Sequence, residues 1–350
     1  MKYPKSNKRA RSKKSQSIIR KIITYIILIF GAIIIITPFL YMVGTSVKDR
    51  EQLKIIPPTI LPYKYETVKL NGQIRSLYQV EIDGAQQTMV LIKKAPEGMG
   101  YFAKVDSPDD QIKLKIDEQE RLRVLDFNWE NYKEALTSQP FGRYVLNTLI
   151  VTFTSMTGII ISSSLVAYGF SRFSAKWLNV LFVILLSTVM LPEQVTLIPL
   201  YVLFTKINWV DTLLPLIVPA FFASAYDVFL LRQFFLTIPI EMEEAAIIDG
   251  ASRFQSFLYV IMPQSLPVIF AVCILHFIYV WNDFYKPLIY LHSQKNWTLA
   301  VGLQTFNAMY TENTHLIMAA SVVMVVLPIL LFFLSQRFFK QGIVISGVKG

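Results

Sequence analysis

One cysteine, three histidines and a small share of charge set the first limits on this 350-residue sequence. Cys273 stands alone inside an apolar run, so neither a disulfide framework nor a cysteine metal site can be built from it. None of His276, His292 and His315 falls in an H-E-x-x-H pattern, which argues against zinc chemistry of that kind. His276 is expected in the core or at a helix interface, and His292 and His315 near the outer surface. No G-x-x-x-x-G-K-S/T phosphate loop occurs, so the chain by itself has no means of cradling ATP in that way. Charged residues are 17% of the chain, below the roughly 25% of soluble domains. Acidic residues are absent from the first 21 positions, which hold nine Lys or Arg. A basic tail with no soluble recognition fold after it is a poor nucleic-acid reader.

What is present is apolar length. Hydrophobic residues make up 53%, and six runs approach or exceed the roughly 20 residues that cross a bilayer as a helix. They lie at about 18–45, 143–170, 178–204, 212–232, 265–291 and 315–336. Six spans put both termini on one side, and the basic N-terminus puts that side in the cytoplasm. Arg172, Lys176, Arg337 and Lys340 agree with this orientation. The net charge of +10 is therefore mainly a topology signal, with anionic lipid contact as a lesser use. The first run is longer than a signal-peptide core and lacks an A-x-A site, so it is expected to stay as an uncleaved helix.

The chain divides into a basic cytoplasmic tail (1–17), a first span (18–45), an extracytoplasmic insert (46–139), a membrane core (140–338) and a cytoplasmic C-terminal tail (339–350). The insert holds 14 Lys or Arg against 15 Asp or Glu. Strand-like alternation at Ile74–Ile82 and Thr88–Lys93 flanks an Asp83-Gly84 turn signal, and further short strands are expected at Gly100–Val105, Gln111–Ile116 and Arg121–Leu125. The expected fold is all-α and polytopic, with a small β-rich extracellular domain at about 64–125 between the first and second helices. That insert either grips a partner or caps the outer face. The stretch "FNWENYKEAL" (127–136) is expected to form an amphipathic helix leading to the second span.

A polar, small-residue segment, "EEAAIIDGASRFQSFLYVIMP" (243–263), interrupts the core within a cytoplasmic loop at 232–264. Pro239 suits a first helical turn, where Glu241, Glu243 and Glu244 favour the macrodipole. Asp249-Gly250 supplies the stop. A second short helix is expected from Arg253 to about Ile261, with Pro263 marking the start of the next span. Ala245 and Ala246 let another surface approach the backbone closely, while the glutamates and Arg253 offer polar contacts at its rim. The alternative is an ordinary solvated loop.

Glu244-Ala245-Ala246, Gly250, Val260, Met262 and Pro263 resemble the E-A-A-x3-G-x9-I-x-L-P motif of ABC-importer permeases, departing only by Val for Ile and Met for Leu. "LLRQFFLTIPIEMEEAAIIDGAS", "WNDFYKPLIY" and the closing "GVKG" are similar to the carbohydrate-uptake permeases, in particular the second maltose-type subunit. The resemblance covers about 18–60 and 127–350; the insert at about 64–125 lies outside it. It implies a type I ABC importer permease fold whose loop, with Glu243, Glu244, Ala245, Ala246, Asp249, Gly250, Ala251, Arg253 and Pro263, couples to an ATPase. It implies as partners a second homologous permease, two ATPase subunits using ATP and Mg, and an extracytoplasmic solute-binding protein that delivers a carbohydrate. No cofactor and no catalytic residue is expected in this chain.

Several polar groups sit deep in the expected spans. Glu193 and Gln194 follow Pro192, and Asn282, Asp283 and Tyr285 follow Trp281. Carboxylates at such depth are costly unless they face protein, water or a partner. They either line a sugar path, with Trp281 or Tyr285 stacking on a sugar face, or form a gate or structural hydrogen bonds. In the resembling family the tight site in the path can lie mostly in the partner permease. An ion-coupled secondary transporter would instead use Glu193 or Asp283 as a proton site, and it gives no reason for the segment at 243–263. Serines 162–164 are expected to be helix-packing contacts.

Overall fold

The computed structural model describes residues 8–346 apart from 55, 57, 71, 83 and 310–312, and describes no side chains at 8–17, 305–309 and 335–346. The expected turn residue Asp83, the "GVKG" end and the first seven residues of the basic tail lie outside the described residues. Two compact units result, one of residues 1–133 with 312–322, the other of 134–311 with 323–350.

The first unit begins with α1 (Lys8–Ser46). From Ile18 its large apolar side chains are exposed along most of its length, as suits a helix solvated by lipid. After α2 (Arg50–Leu53) come β1 (Tyr63–Tyr65), β2 (Thr67–Leu70), β3 (Gln73–Ile82), β4 (Ala85–Lys94), β5 (Met99–Lys104), β6 (Ser107–Lys115), β7 (Glu120–Arg121) and β8 (Arg123–Leu125). An antiparallel sheet runs in the order β2-β3-β4-β5-β6, with β7 also on β3, and β1 pairs β8 separately. The β3–β4 hairpin closes with Ile82 paired to Ala85. Tyr78, Val80, Met89 and Phe102 form the core of this sheet. A short helix, α3 (Glu130–Thr137), returns to the end of α1: Asn131 Nδ2 donates to Ser46 O and Lys48 O, each at 2.9 Å.

The second unit is helical and carries α4 (Phe141–Arg172), α5 (Lys176–Ser187), α6 (Glu193–Lys206), α7 (Leu214–Ile217), α8 (Ala225–Phe235), α9 (Ile240–Ile248), α10 (Arg253–Ser256), α11 (Met262–Gln264), α12 (Leu266–Asn282), α13 (Tyr285–Tyr290) and α14 (Leu299–Met309). The last helix, α15 (Thr314–Ser346), has residues in both units. Among the described residues four helical segments are long and apolar enough to span a membrane, and two bent pairs raise the number to six if each counts as one span. The first pair (176–190 with 193–206) bends by 96° at Leu191-Pro192, and the second (253–264 with 266–282) by 75°.

The buried face of α4 packs on α8, on 257–261 and on α12 through Ile159, Ala167, Tyr168, Leu231, Phe257 and Val272. Small residues allow this closeness. A Cβ on Gly158 would lie 2.6 Å from the Phe221 ring, so Gly158→Val is expected to cost about 1–3 kcal/mol by overpacking, seen as a lower unfolding temperature in detergent.

The fourth expected span, 212–232, is not one continuous helix. Pro215 and Pro219 remove two backbone donors, 218–222 tighten into a 3-10 turn, and Ala223 takes φ +62, ψ 152. A non-glycine residue there is strained. The serines at 162 and 163 hold the break: Ser162 Oγ accepts from Ala223 N at 3.0 Å and lies 3.0 Å from Ala220 O, and Ser163 Oγ accepts from Ser224 N at 3.2 Å. They are packing contacts of a specific kind, satisfying backbone that a broken span would leave bare.

Asp211 ties two loops of this unit. Its carboxylate accepts from His292 N at 3.0 Å, Ser293 N at 2.8 Å and the Ser293 hydroxyl. Burial pushes its pKa up, but the bonds from Ser293, Asn296 and His292 together outweigh that and hold it at about 2. Because the folded value lies below the ordinary 3.8, the stabilisation is fully present above about pH 4 and is lost as pH falls through about 2. Asp211→Ala is therefore expected to destabilise by about 1–3 kcal/mol at neutral pH. The difference from wild type in unfolding midpoint should shrink as pH falls from 4 toward 2.

Candidate functional site

The segment at 239–264 folds as two short helices with a sharp turn. Pro239 is the residue before α9 rather than its first turn. Asp249 caps α9, Gly250 follows with φ +92, and the hydrogen bonds Ala251 N to Ala246 O (2.9 Å) and Gly250 N to Ile247 O (3.0 Å) close the end. This pair of bonds defines a Schellman motif, which places a left-handed residue where Gly250 stands. Ser252 and Gln255 then exchange side-chain and backbone bonds at 3.2 and 2.7 Å. Such a capping box was legible as S-x-x-Q and starts α10 sharply.

The α10 helix passes through a π turn at 257–261 into α11. Pro263 comes just before the bend that leads into α12. It lies inside α11, and the chain bends at Ser265, because Pro267 has no N–H for the Pro263 carbonyl.

The glutamates divide. Glu241 and Glu244 are exposed, as are Ala245, Asp249 and Gly250, with Ala246 and Ala251 half-buried. An open groove runs between Glu241, Met242, Ala245 and Ala246 on α9 and Tyr259 and Pro263 beyond it. Glu243 instead turns inward and is 6% exposed, which corrects its assignment to the contact rim. Arg172 Nε donates to Glu243 Oε2 at 2.9 Å, Arg172 Nη2 to Ile238 O at 3.0 Å, and the Tyr168 hydroxyl to Glu243 Oε1 at 2.5 Å. An ion pair this buried needs further hydrogen bonds, and here Arg172 Nη2 and Glu243 Oε1 have theirs. The Arg253 guanidinium stacks over the Phe173 ring at 5.2 Å, while its carbonyl oxygen lies 3.3 Å from the Tyr168 hydroxyl.

The second feature is a cavity of about 480 Å³ whose lining includes Glu193, Asp227, His276, Tyr279, Asp283 and Lys286. The break at Ala223 and Ser224 forms part of its wall. Glu193 stands at the first turn of α6, just past the 96° bend. The Tyr279 hydroxyl lies 2.6 and 2.8 Å from its two oxygens, and Lys286 Nζ is 3.5 Å away. Lys286 N donates to Asp283 Oδ1 at 3.3 Å. His276 Nε2 shares a hydrogen bond with Ser155 Oγ at 2.8 Å, so it is an interface residue between α4 and α12. His315 is 5% exposed.

Of the six residues expected along a path, Glu193 and Asp283 line this cavity. Trp281 does not: it is 3% exposed, stacked on Phe277 at 5.2 Å, and donates its indole N–H to Met324 O at 3.2 Å. A ring enclosed in that way offers no face to a sugar, which corrects its assignment. Asn282 Nδ2 donates to Ile278 O within its own helix, and the exposed Gln194 and Tyr285 are outside the lining. Asp227, Tyr279 and Lys286 are the residues that sequence reasoning missed; an ionisable residue inside an apolar run was the available signal for Asp227. Among the described residues no group of three or more His, Cys, Asp or Glu could hold a metal ion.

The family model described as "Binding-protein-dependent transport system inner membrane component" matches residues 155–345. A probable ABC transporter permease protein of Pyrococcus horikoshii is 33% identical over 218 residues, 61% of this chain and 79% of that protein. An arabinooligosaccharides transport system permease protein of Halalkalibacterium halodurans is 33% identical over 210 residues, 60% of this chain and 74% of that protein. Among solved structures, the crystal structure of a bacterial ABC transporter involved in the import of the acidic polysaccharide alginate superposes with a TM-score of 0.65 at 18% identity, covering 96% of this chain and 100% of the matched one.

Proposed function

The chain belongs to the family of binding-protein-dependent transport system inner membrane components, and from that premise we propose that it forms half of the membrane path of an ATP-driven importer for a carbohydrate. Its partners in this reading are a second, homologous permease, two ATPase subunits that use ATP and Mg, and an extracytoplasmic protein that delivers the solute. Both termini face the cytoplasm, in keeping with the nine basic residues at the start.

The observation that carries the reading is the form of the segment at 239–264. Ala245 and the carboxylates of Glu241 and Glu244 are exposed beside an open groove, while Glu243 fixes the same helix to α4. A solvated loop has no need of a buried ion pair beneath it. As the docking site of an ATPase, α9 would pass a rigid movement into the spans and switch the path between inward- and outward-facing states. The cavity at Glu193, Asp227 and Asp283 is this chain's contribution to the path, and its carboxylates and phenols suit the hydroxyls of a sugar. The carbohydrate assignment draws on the arabinooligosaccharides permease among the relatives. The Glu193 carboxylate, held by Tyr279 and Lys286, is a paired group rather than an isolated proton site, and family membership does not favour an ion-coupled carrier.

Proteoliposomes containing the assembled importer, loaded with ATP and supplied with the binding protein, test this. Uptake of labelled neutral oligosaccharides should require internal ATP and survive a protonophore. Uptake that proceeds without ATP and collapses with the proton gradient would reverse the conclusion.

A further inference from the structure

The ion pair between Arg172 and Glu243 joins the last turn of α4 to α9 across 71 positions of sequence. Both side chains are 6–7% exposed, and Tyr168, one turn earlier on α4, adds its hydroxyl to the same carboxylate while lying 3.3 Å from Arg253 O beyond the turn. Arg172 reaches Ile238 O as well, in the strand of chain that precedes α9. One end of α4 thus holds the segment before α9, α9 itself and the start of α10.

The same helix grips the transport cavity further along. Ser162 and Ser163 hold the strained backbone at Ala223 and Ser224, and Ser155 holds His276. All three partners line the cavity. Arg172 and Ser155 are separated by about 25 Å along a straight helix at the standard rise of 1.5 Å per residue. No other helix in this unit carries described side-chain hydrogen bonds both to α9 and to these cavity residues.

We propose that α4 is the element through which movement of α9 enters the membrane, with Arg172 and Tyr168 as positioning residues that make α9 and α4 one rigid body. The proposal rests on the importer reading and specifies its coupling step. A displacement imposed on α9 moves α4 lengthwise or in rotation, and the load falls on the break at Ala223. That backbone is already strained, so it is the joint able to change shape while the rest of the packing is kept.

The test is the ratio of solute taken up to ATP hydrolysed, measured in proteoliposomes with the complete importer and a labelled neutral trisaccharide series as probe. Arg172→Gln removes the charge and one arm of the fork; it is expected to lower the ratio about tenfold while ATP hydrolysis stays within about twofold. Arg172→Lys restores the charge without the second arm and should recover part of the loss. Tyr168→Phe keeps the ring and the ion pair, and should lower the ratio about threefold. A residue that only stabilised the fold would lower hydrolysis and uptake together and leave the ratio unchanged. If Arg172→Gln fails to assemble, the Lys and Phe variants decide. Wild-type ratios in both would overturn the proposal, as would a wild-type ratio in an assembled Arg172→Gln complex. Absence of ATP-dependent uptake from the unmutated importer would sink the importer reading itself, and this proposal with it.

Discussion

Glu244→Lys is expected to abolish uptake, by about a hundredfold or more, in a chain that still reaches the membrane at its normal level. Glu244 is exposed in the first half of α9 beside the alanines of the groove. A lysine there works against the helix macrodipole, which costs about 0.3–1 kcal/mol and leaves the fold intact. Breaking a charge pair that becomes buried on docking is far more expensive, about 2–5 kcal/mol, and every 1.4 kcal/mol is roughly tenfold in affinity. The loss should therefore show as failure of the ATPase to co-purify with the permease in detergent. Glu241→Lys, in the first turn of α9, should weaken association less. An assembled Glu244→Lys importer with ordinary uptake would mean that α9 is not the docking helix.

Gly250→Val is the second large effect, and its origin is backbone rather than space. No atom lies within 4 Å of the Cβ that a side chain would add, so nothing there is crowded. The conformation is the obstacle: φ +92 costs a β-branched residue about 1–3 kcal/mol. Relief requires losing one or both of the bonds from Gly250 and Ala251 that close α9, which reorients α9 against α10. Uptake should fall about tenfold to a hundredfold. Gly250→Asn, a residue that tolerates left-handed backbone, should stay within about threefold. Equal activity in the Val and Asn variants would show that the turn geometry is not used in coupling. Immunoblots of the membrane fraction separate this from poor insertion.

The two predictions depend on features that differ in how far sequence reveals them. Gly250 was legible because a helix stop is a local matter: an acidic first turn, an apolar middle and Asp-Gly at the end. Glu243 was not. It and Glu244 are adjacent in a run of like residues, and only rotation about the helix decides that one faces solvent and the other Arg172. Period alone could not settle that, because α9 is a helix of nine residues with apolar and polar positions mixed on each side. Arg172 looked like a topology charge for a similar reason. Its partner lies in a different loop, and nothing near it in the chain points there.

The cavity at Glu193 and Asp283 shows the same division. Glu193 and Asp283 could be singled out because a carboxylate in an apolar run is costly unless something receives it. Trp281 was singled out with Asp283 as its near neighbour, yet successive helical residues point about 100° apart, so it turns into the protein against Phe277 and Met324. The bend at Pro192 could be anticipated from proline chemistry. The break at Ala223 could not, since alanine is a good helix former and the serines that hold it lie about 60 positions earlier.

What the sequence by itself determined is membrane residence, the helical class with its β-rich insert, the family, and the turn in the polar segment. The family follows from the resemblance of the motif at 244–263, and the others from hydropathy, alternation or spacing, which act between residues a few positions apart. Only the tertiary structure decided which glutamate is an anchor, which polar groups share a cavity, and that α4 connects the two. Those depend on pairings across 60 to 120 positions, where burial makes a hydrogen bond or an ion pair worth keeping and no local pattern records the partner.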